Sequence, residues 1–189
     1  MNQTVWIVAA VIIVVLLIVA AIFWSRRRRS EHLRDRFGPE YDRAVDAKGD
    51  RAKAEAELAQ REKRVEKLNI RPLEPAERRE FVSRWNDVQA RFVDDPPRAV
   101  AFADALLGEV MKARGYPVSD FDQRAGDISV DHPIVVEHYR KAHDIAQRQE
   151  RGDASTEDLR QAMIDYRALF DNLVGAEAPK AREPEPAQH

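Results

Sequence analysis

Residues Val5 to Trp24 are twenty consecutive apolar side chains, and no other feature of this sequence constrains its fold as strongly. A helix of that length rises about 30 Å, the thickness of a bilayer's hydrocarbon core. Such a helix satisfies every backbone polar group internally, which lipid demands. Trp6 and Trp24 flank the run, where amphipathic rings suit the two headgroup regions. Residues 1–25 are therefore expected to form a transmembrane anchor. A cleaved signal peptide is the rival reading. It wants a positively charged start, a shorter apolar stretch and a small-residue cleavage site. Met1-Asn2-Gln3-Thr4 is uncharged and Ile22-Phe23-Trp24-Ser25 offers no such site, so an uncleaved anchor is the better match.

Charge sets the expected orientation. Arg26, Arg27, Arg28 and Arg29 abut one end of the run, and residues 1–25 carry no charge at all. The positive-inside rule places the arginines and all that follows in the cytoplasm, with the N-terminus outside. The expected location is thus the cell membrane, single-pass. The four arginines are read first as this topology signal, with anionic headgroups within their reach. Beyond them the chain has 27 basic and 33 acidic residues, so an acidic domain is tethered beside a basic collar. That balance argues against nucleic acid as a partner. With no cysteine among its 189 residues, the chain has no disulfide framework, thiolate metal site or cysteine nucleophile.

After the basic juxtamembrane segment, residues 26–39, Gly38-Pro39 breaks any helix leaving the bilayer. Residues 40–74 are read as one long charged helix, from Glu40 to about Leu68, followed by a linker, Asn69 to Pro75. Gly49 is the helix's one weak point. Twelve of the twenty residues 48–67 are charged, with Arg51/Glu55, Lys53/Glu57 and Glu57/Arg61 spaced four apart. The apolar seam of Ala54, Leu58, Val65 and Leu68 is thin, so a solvated stalk, or a helix lying loosely on the domain, is expected ahead of a coiled coil. A weak homo-oligomer through that seam remains open.

Residues 75–174 carry four amphipathic helical patterns. Phe81, Trp85, Val88 and Phe92 recur at helical spacing, as do Ala99, Ala103, Leu106 and Val110. Val135, Tyr139, Ala142 and Ala146 follow, then Leu159, Met163, Tyr166, Phe170 and Leu173, the most regular of the set. Asp95-Pro96 and Asp131-His132-Pro133 read as caps followed by a first-turn proline, and Ser155 with Asp158 as a capping box. The expected class is all-α: a transmembrane helix, a long charged helix, then a four-helix bundle-like domain. Residues 175–189, with three prolines, read as a disordered tail.

No catalytic constellation stands out, and an enzyme is not expected. His132, His138 and His143 fall about 240° and 140° apart around a helix, so they share no face for a metal. There is no His-Glu-x-x-His, no phosphate loop and no Gly-x-Ser-x-Gly elbow. No cofactor is predicted. Trp85, Phe81 and Phe92 read as core. Tyr139 and Tyr166 read as core rings with hydroxyls reaching the rim. The stretch Tyr116–Pro133 is long for a link between helices, and such links cover an end of the bundle or carry function. If function sits there, Tyr116, Asp120, Phe121, Arg124 and His132 are its candidate ligand- or partner-contacting residues.

Three segments carry a family resemblance: Arg84-Trp85-Asn86-Asp87-Val88-Gln89-Ala90-Arg91-Phe92-Val93-Asp94-Asp95-Pro96, Arg114-Gly115-Tyr116-Pro117 and Ser129-Val130-Asp131-His132-Pro133. With Arg36-Phe37-Gly38-Pro39-Glu40-Tyr41, they resemble an uncharacterised family of bacterial single-pass membrane-anchored proteins, often labelled hypothetical or secreted. The resemblance spans most of residues 36–174 and implies a topology but no chemistry. The expected function is a membrane-anchored cytoplasmic interaction or scaffold module, with the lipid bilayer and a protein as partners. The alternative is a ligand-sensing module holding a small molecule under the 116–133 loop.

Overall fold

The computed structural model describes residues 2–117 and 119–175, with side chains from Ile13 onward. The proposed tail and the Trp6 side chain lie outside the described residues. Among those described, the chain is all-helical: α1 (Asn2–Phe37), α2 (Pro39–Lys48), α3 (Arg51–Val65), α4 (Pro75–Arg91), α5 (Pro96–Ala113), α6 (Phe121–Asp131), α7 (Val136–Glu150) and α8 (Thr156–Gly175). It divides into two compact units, residues 1–59 and 60–189.

In the first unit α1 continues unbroken from the apolar run through the arginines to Phe37. Among the described residues no helix is long and apolar enough to cross a membrane. The first eight residues of the apolar run precede Ile13, where the described side chains begin. Gly38 (φ 48°) ends α1 and Pro39 opens α2, as the Gly-Pro pair predicted. Leu33 and Phe37 of α1 are buried, as are Tyr41 and Ala44 of α2.

The single long helix expected over 40–68 is in fact two. Gly49 adopts the left-handed conformation (φ 62°) and its N–H closes on the Val45 carbonyl. Asp50 then starts α3, its carboxylate accepting from the N–H groups of Ala52 (2.8 Å) and Lys53 (3.1 Å). A glycine stop followed at once by an aspartate cap is favourable at both new termini, and that outweighs one continued helix.

In the second unit α8 packs against α5, α7 and α4, with α4 also on α5 and α6 on α7. The predicted stripes form the core. Phe81, Trp85, Leu106, Val110, Leu159, Phe170 and Leu173 are all buried, and Trp85 stacks on Phe170 with centroids 4.6 Å apart. The helix starts follow the predicted caps: Asp95 accepts from the Arg98 N–H (3.2 Å), and Ser155 and Asp158 bond reciprocally (2.9 and 3.1 Å). The Asp131-His132-Pro133 start is displaced, because Asp131 ends α6 and α7 begins at Val136.

Gly115 is required where α5 turns. Its φ is 97°, and a Cβ there would stand 2.3 Å from the Asn69 carbonyl oxygen. Gly115→Ala is expected to cost at least about 2 kcal/mol, from the positive φ plus a clash with backbone that cannot rotate away. Chemical denaturation reads this directly, and an unchanged midpoint would show that the turn does not hold the linker this closely.

Candidate functional site

The 116–133 segment is mostly an eleven-residue helix, α6, rather than an open loop. Asp120 caps it, accepting from the Gln123 N–H at 2.9 Å. Residues 125–130 are buried, because α6 inserts its small and apolar positions beside α7. This separates the candidate residues. Asp120, Phe121 and Arg124 lie in the first turns of α6. Tyr116 and His132 stand at its other end, about 16 Å along the axis. Tyr116 is buried there and donates to Asp131 Oδ2 at 3.2 Å. Its pKa is raised, by burial first and by the Asp131 charge next. His132 caps the end of α6, its N–H on the Ile128 carbonyl.

Phe121 stacks face to face on His143 of α7, centroids 3.6 Å apart and planes 7° from parallel, and tilts against Tyr139 at 4.8 Å. The stacked pair forms part of a surface groove of about 490 Å³ whose rim is Asp120, Asp122, Arg140, Asp144 and Gln147. Burial holds the His143 pKa below its ordinary value, so the ring is neutral at pH 7. Its Nε2 then accepts from the Gln147 amide at 3.1 Å.

Behind this groove lies a cluster that the sequence reading missed. Tyr139 and Tyr166 have no exposed surface, their rings 6.2 Å apart. The expectation that their hydroxyls reach the rim is corrected: both are enclosed. Burial raises both phenol pKa values, and the neighbouring Asp104 charge raises them further. Arg124 reaches across from α6 onto α5, its Nη1 3.2 Å from where a Gly108 Cβ would stand, one turn from Asp104. Tyr139 Oη and Arg124 Nε are buried with no hydrogen-bond partner among the described residues, while Tyr166 is within hydrogen-bond reach of Asp104. The signal in the sequence was Asp104 itself. Val100, Asp104, Leu107 and Met111 fall at spacings of 4, 3 and 4, putting a carboxylate on an apolar stripe.

Elsewhere in this unit, α4 and α5 leave a groove of about 280 Å³ with Val88, Leu106 and Phe102 as its apolar lining. Arg84 bridges it, both guanidinium nitrogens on the Glu109 carboxylate at 2.6 and 2.7 Å. The three α6–α7 histidines have separate surroundings: His132 at a helix end, His138 on Asp165 at 2.5 Å and His143 on Phe121. Among the described residues no three potential ligands converge as a metal site.

In the first unit the residues expected to flank a membrane sit where α1 leaves the apolar run. Arg26, Arg27, Arg28 and Arg29 are exposed. Arg28 lies over the Trp24 ring at 3.8 Å, and Arg27 pairs with Glu31. One turn later Ser30 is buried, its hydroxyl donating to Glu55 Oε1 at 2.7 Å; Tyr41 and Arg51 donate to the same oxygen. Burial alone would raise the Glu55 pKa, but these three hydrogen bonds hold it below the ordinary carboxylate range. The helix bearing the apolar run is thereby tied to α2 and α3.

No family model matches the chain, and no curated protein or solved structure matches it.

Proposed function

We propose that the chain is a single-pass membrane protein whose anchor tethers a cytoplasmic helical domain that works as an interaction or scaffold module. One observation carries the anchoring: residues 13–24 of α1 are exposed at every position, with Phe23, Leu17 and Leu16 at 70, 64 and 62%. A helix apolar on all sides and covered by none of the described residues calls for lipid as its solvent. Arg28 over Trp24 fits the same reading, since an arginine stacked on an interfacial tryptophan suits the headgroup layer. The hydrogen bonds of Ser30, Tyr41 and Arg51 to Glu55 would hold the segment nearest the bilayer at a fixed angle to the anchor. The four arginines favour the cytoplasm for everything beyond them.

The experiment is a reporter fused after His189, combined with carbonate extraction of membranes. We expect the reporter to read as cytoplasmic and the full-length chain to resist extraction. Neutralising Arg26–Arg29 while placing lysines at positions 2–4 is expected to invert or scramble the orientation. Protease access to the helical domain from outside the cell, or a mature N-terminus beyond Ser25, would overturn the reading.

A second reading has its own support in the α6–α7 groove, which opens beside Asp120 and Phe121: a ligand-sensing module with a small molecule seated there.

A further inference from the structure

Ser30, Leu33 and Phe37 form a buried stripe on α1, at spacings of 3 and 4. Arg26 extends that stripe by one turn toward the apolar run, and Arg29 is its neighbour three residues on; both are exposed. The four arginines of the collar are not equivalent. Arg27 is held by Glu31 at 3.0 Å, and Arg28 lies over the Trp24 ring. Arg26 and Arg29 make no hydrogen bond or ion pair among the described residues. A further guanidinium arrives from α3. Arg51 Nε and the Ser30 hydroxyl both donate to Glu55 Oε1, at 2.9 and 2.7 Å, so Arg51 stands beside Ser30, one turn along α1 from Arg26. Only the Nε of Arg51 is engaged there, with Glu55 and Tyr41, and its side chain is 59% exposed. Arg26 and Ser30 lie about 6 Å apart along the helix axis. A headgroup layer is about 5–7 Å deep on each side of the hydrocarbon core. With Trp24 at its inner edge, Arg26, Arg29 and Arg51 span the depth at which lipid phosphates sit.

We propose that Arg26, Arg29 and Arg51 form a site for the phosphate of an anionic phospholipid, built from α1 and α3 together. Guanidinium groups take phosphate oxygens through paired, charge-assisted hydrogen bonds. A zwitterionic headgroup brings its own ammonium against the cluster, whereas an anionic one brings net negative charge, and that difference selects the anionic lipid. Glu55 does not oppose this, because its Oε1 is already taken by Ser30, Tyr41 and Arg51. The bound lipid bridges the same two helices that Glu55 joins. Arg27 and Arg28, committed to Glu31 and Trp24, supply topology charge rather than this site. The proposal rests on the membrane-anchor reading and names the class of lipid that the anchor's collar selects.

The test is titration of the full chain, purified in neutral detergent, with phosphatidylglycerol or phosphatidylcholine, the bound lipid being read by native mass spectrometry. The chain is expected to bind phosphatidylglycerol at least about tenfold more tightly than phosphatidylcholine. The double variant Arg26→Gln/Arg29→Gln is expected to lose most of that preference, and Arg51→Gln a large part of it. Arg51→Lys keeps the charge and is expected to keep most of the preference, which separates a lost lipid contact from a disturbed Glu55 cluster. Arg27→Gln/Arg28→Gln removes the same net charge and is expected to leave the preference largely intact. Equal binding of the two lipids by the parent chain would overturn the site. So would a preference that the Arg27/Arg28 variant loses as fully as the Arg26/Arg29 variant, since that is the result of diffuse charge. The anchor reading fails separately: a chain that carbonate releases from membranes overturns it, whereas carbonate resistance without lipid preference overturns the site alone.

Discussion

Arg114→Met is expected to destabilise the second unit by about 4 kcal/mol, the cost of leaving two buried carbonyls without a donor at about 1–3 kcal/mol each. Arg114 is fully buried where the end of α5, the linker before α4 and the end of α8 meet. Its Nη1 donates to the Leu173 carbonyl at 2.7 Å and its Nε to the Arg71 carbonyl at 3.3 Å, while the Arg71 N–H returns a bond to the Arg114 carbonyl at 2.9 Å. Burial pulls its pKa below the ordinary arginine value, and Tyr116 and then the Asp131 charge partly offset this. Methionine fills much of the volume but donates nothing, so buried carbonyls on two segments lose their donors. For a unit of this size the change corresponds to a fall of about 15 °C in melting temperature. Lysine at this position supplies a charge without the planar fork and should recover only part of the loss. A melting temperature for Arg114→Met within a few degrees of the parent would show that these bonds hold nothing together.

Arg64→Met should cost about 3 kcal/mol at pH 7, for a different reason. Arg64 Nε and Nη2 both lie on Asp127 Oδ1, at 2.7 and 2.6 Å, and the Asp127 side chain is 1% exposed. Burial holds the Asp127 pKa above the ordinary carboxylate range even with Arg64 and the nearby Arg61 pulling it down, and Asp120 adds a small push upward. Without Arg64 the carboxylate is buried with much less compensation. A folded pKa above the unfolded one means that the folded state takes up the proton first. The penalty is therefore complete above the folded pKa. It shrinks as pH falls through that value, until the unfolded carboxylate also protonates near about 3.9. The stability gap between Arg64→Met and the parent is expected to narrow between neutral and mildly acidic pH. Asp127→Asn in the Arg64→Met background should largely remove this pH dependence. A gap that is flat with pH would mean Asp127 is not the group left exposed by the change.

Much of the second unit was legible because its cues are local. The spacing of Leu159, Met163, Tyr166, Phe170 and Leu173 gives a helix and its buried face together, and all five are buried. Asp95-Pro96, Ser155 with Asp158, and Gly38-Pro39 act over three or four residues, and the backbone ends and starts where they stand. Gly49-Asp50 was equally local, a stop and a cap in adjacent positions. It reads as a weak point within one helix because no proline interrupts residues 40–68 and the charge pairs from Arg51 to Arg61 support a solvated helix.

The polar interior was legible only as an anomaly. Asp104 and Arg114 extend the stripe of Val100, Leu107 and Met111 at unbroken spacings of 4, 3, 4 and 3, and periodicity assigns such positions to the inside whatever their charge. Which partners would meet them did not follow. Arg114 finds carbonyls 43 and 59 residues away, and Asp104 lies near Arg124, Tyr139 and Tyr166 from three other helices. The segment 116–133 shows the same limit. Its weak periodicity reflects α6 burying small and polar residues, Ala125, Gly126, Asp127 and Ser129, where no apolar stripe was needed. Gly126 leaves room for Arg61, whose Nε would stand 3.4 Å from a Cβ there, and Asp127 is met by Arg64.

The sequence by itself determined where α4, α5 and α8 lie, which of their faces turn inward and where the apolar run stops, because each depends on residues within a turn or two of one another. Only the tertiary structure decided that α6 runs on to Asp131, that two tyrosine hydroxyls are enclosed, and that Asp104 and Arg124 lie near each other. Burial and pairing of a polar group depend on what arrives from distant parts of the chain, and no local pattern encodes that arrival.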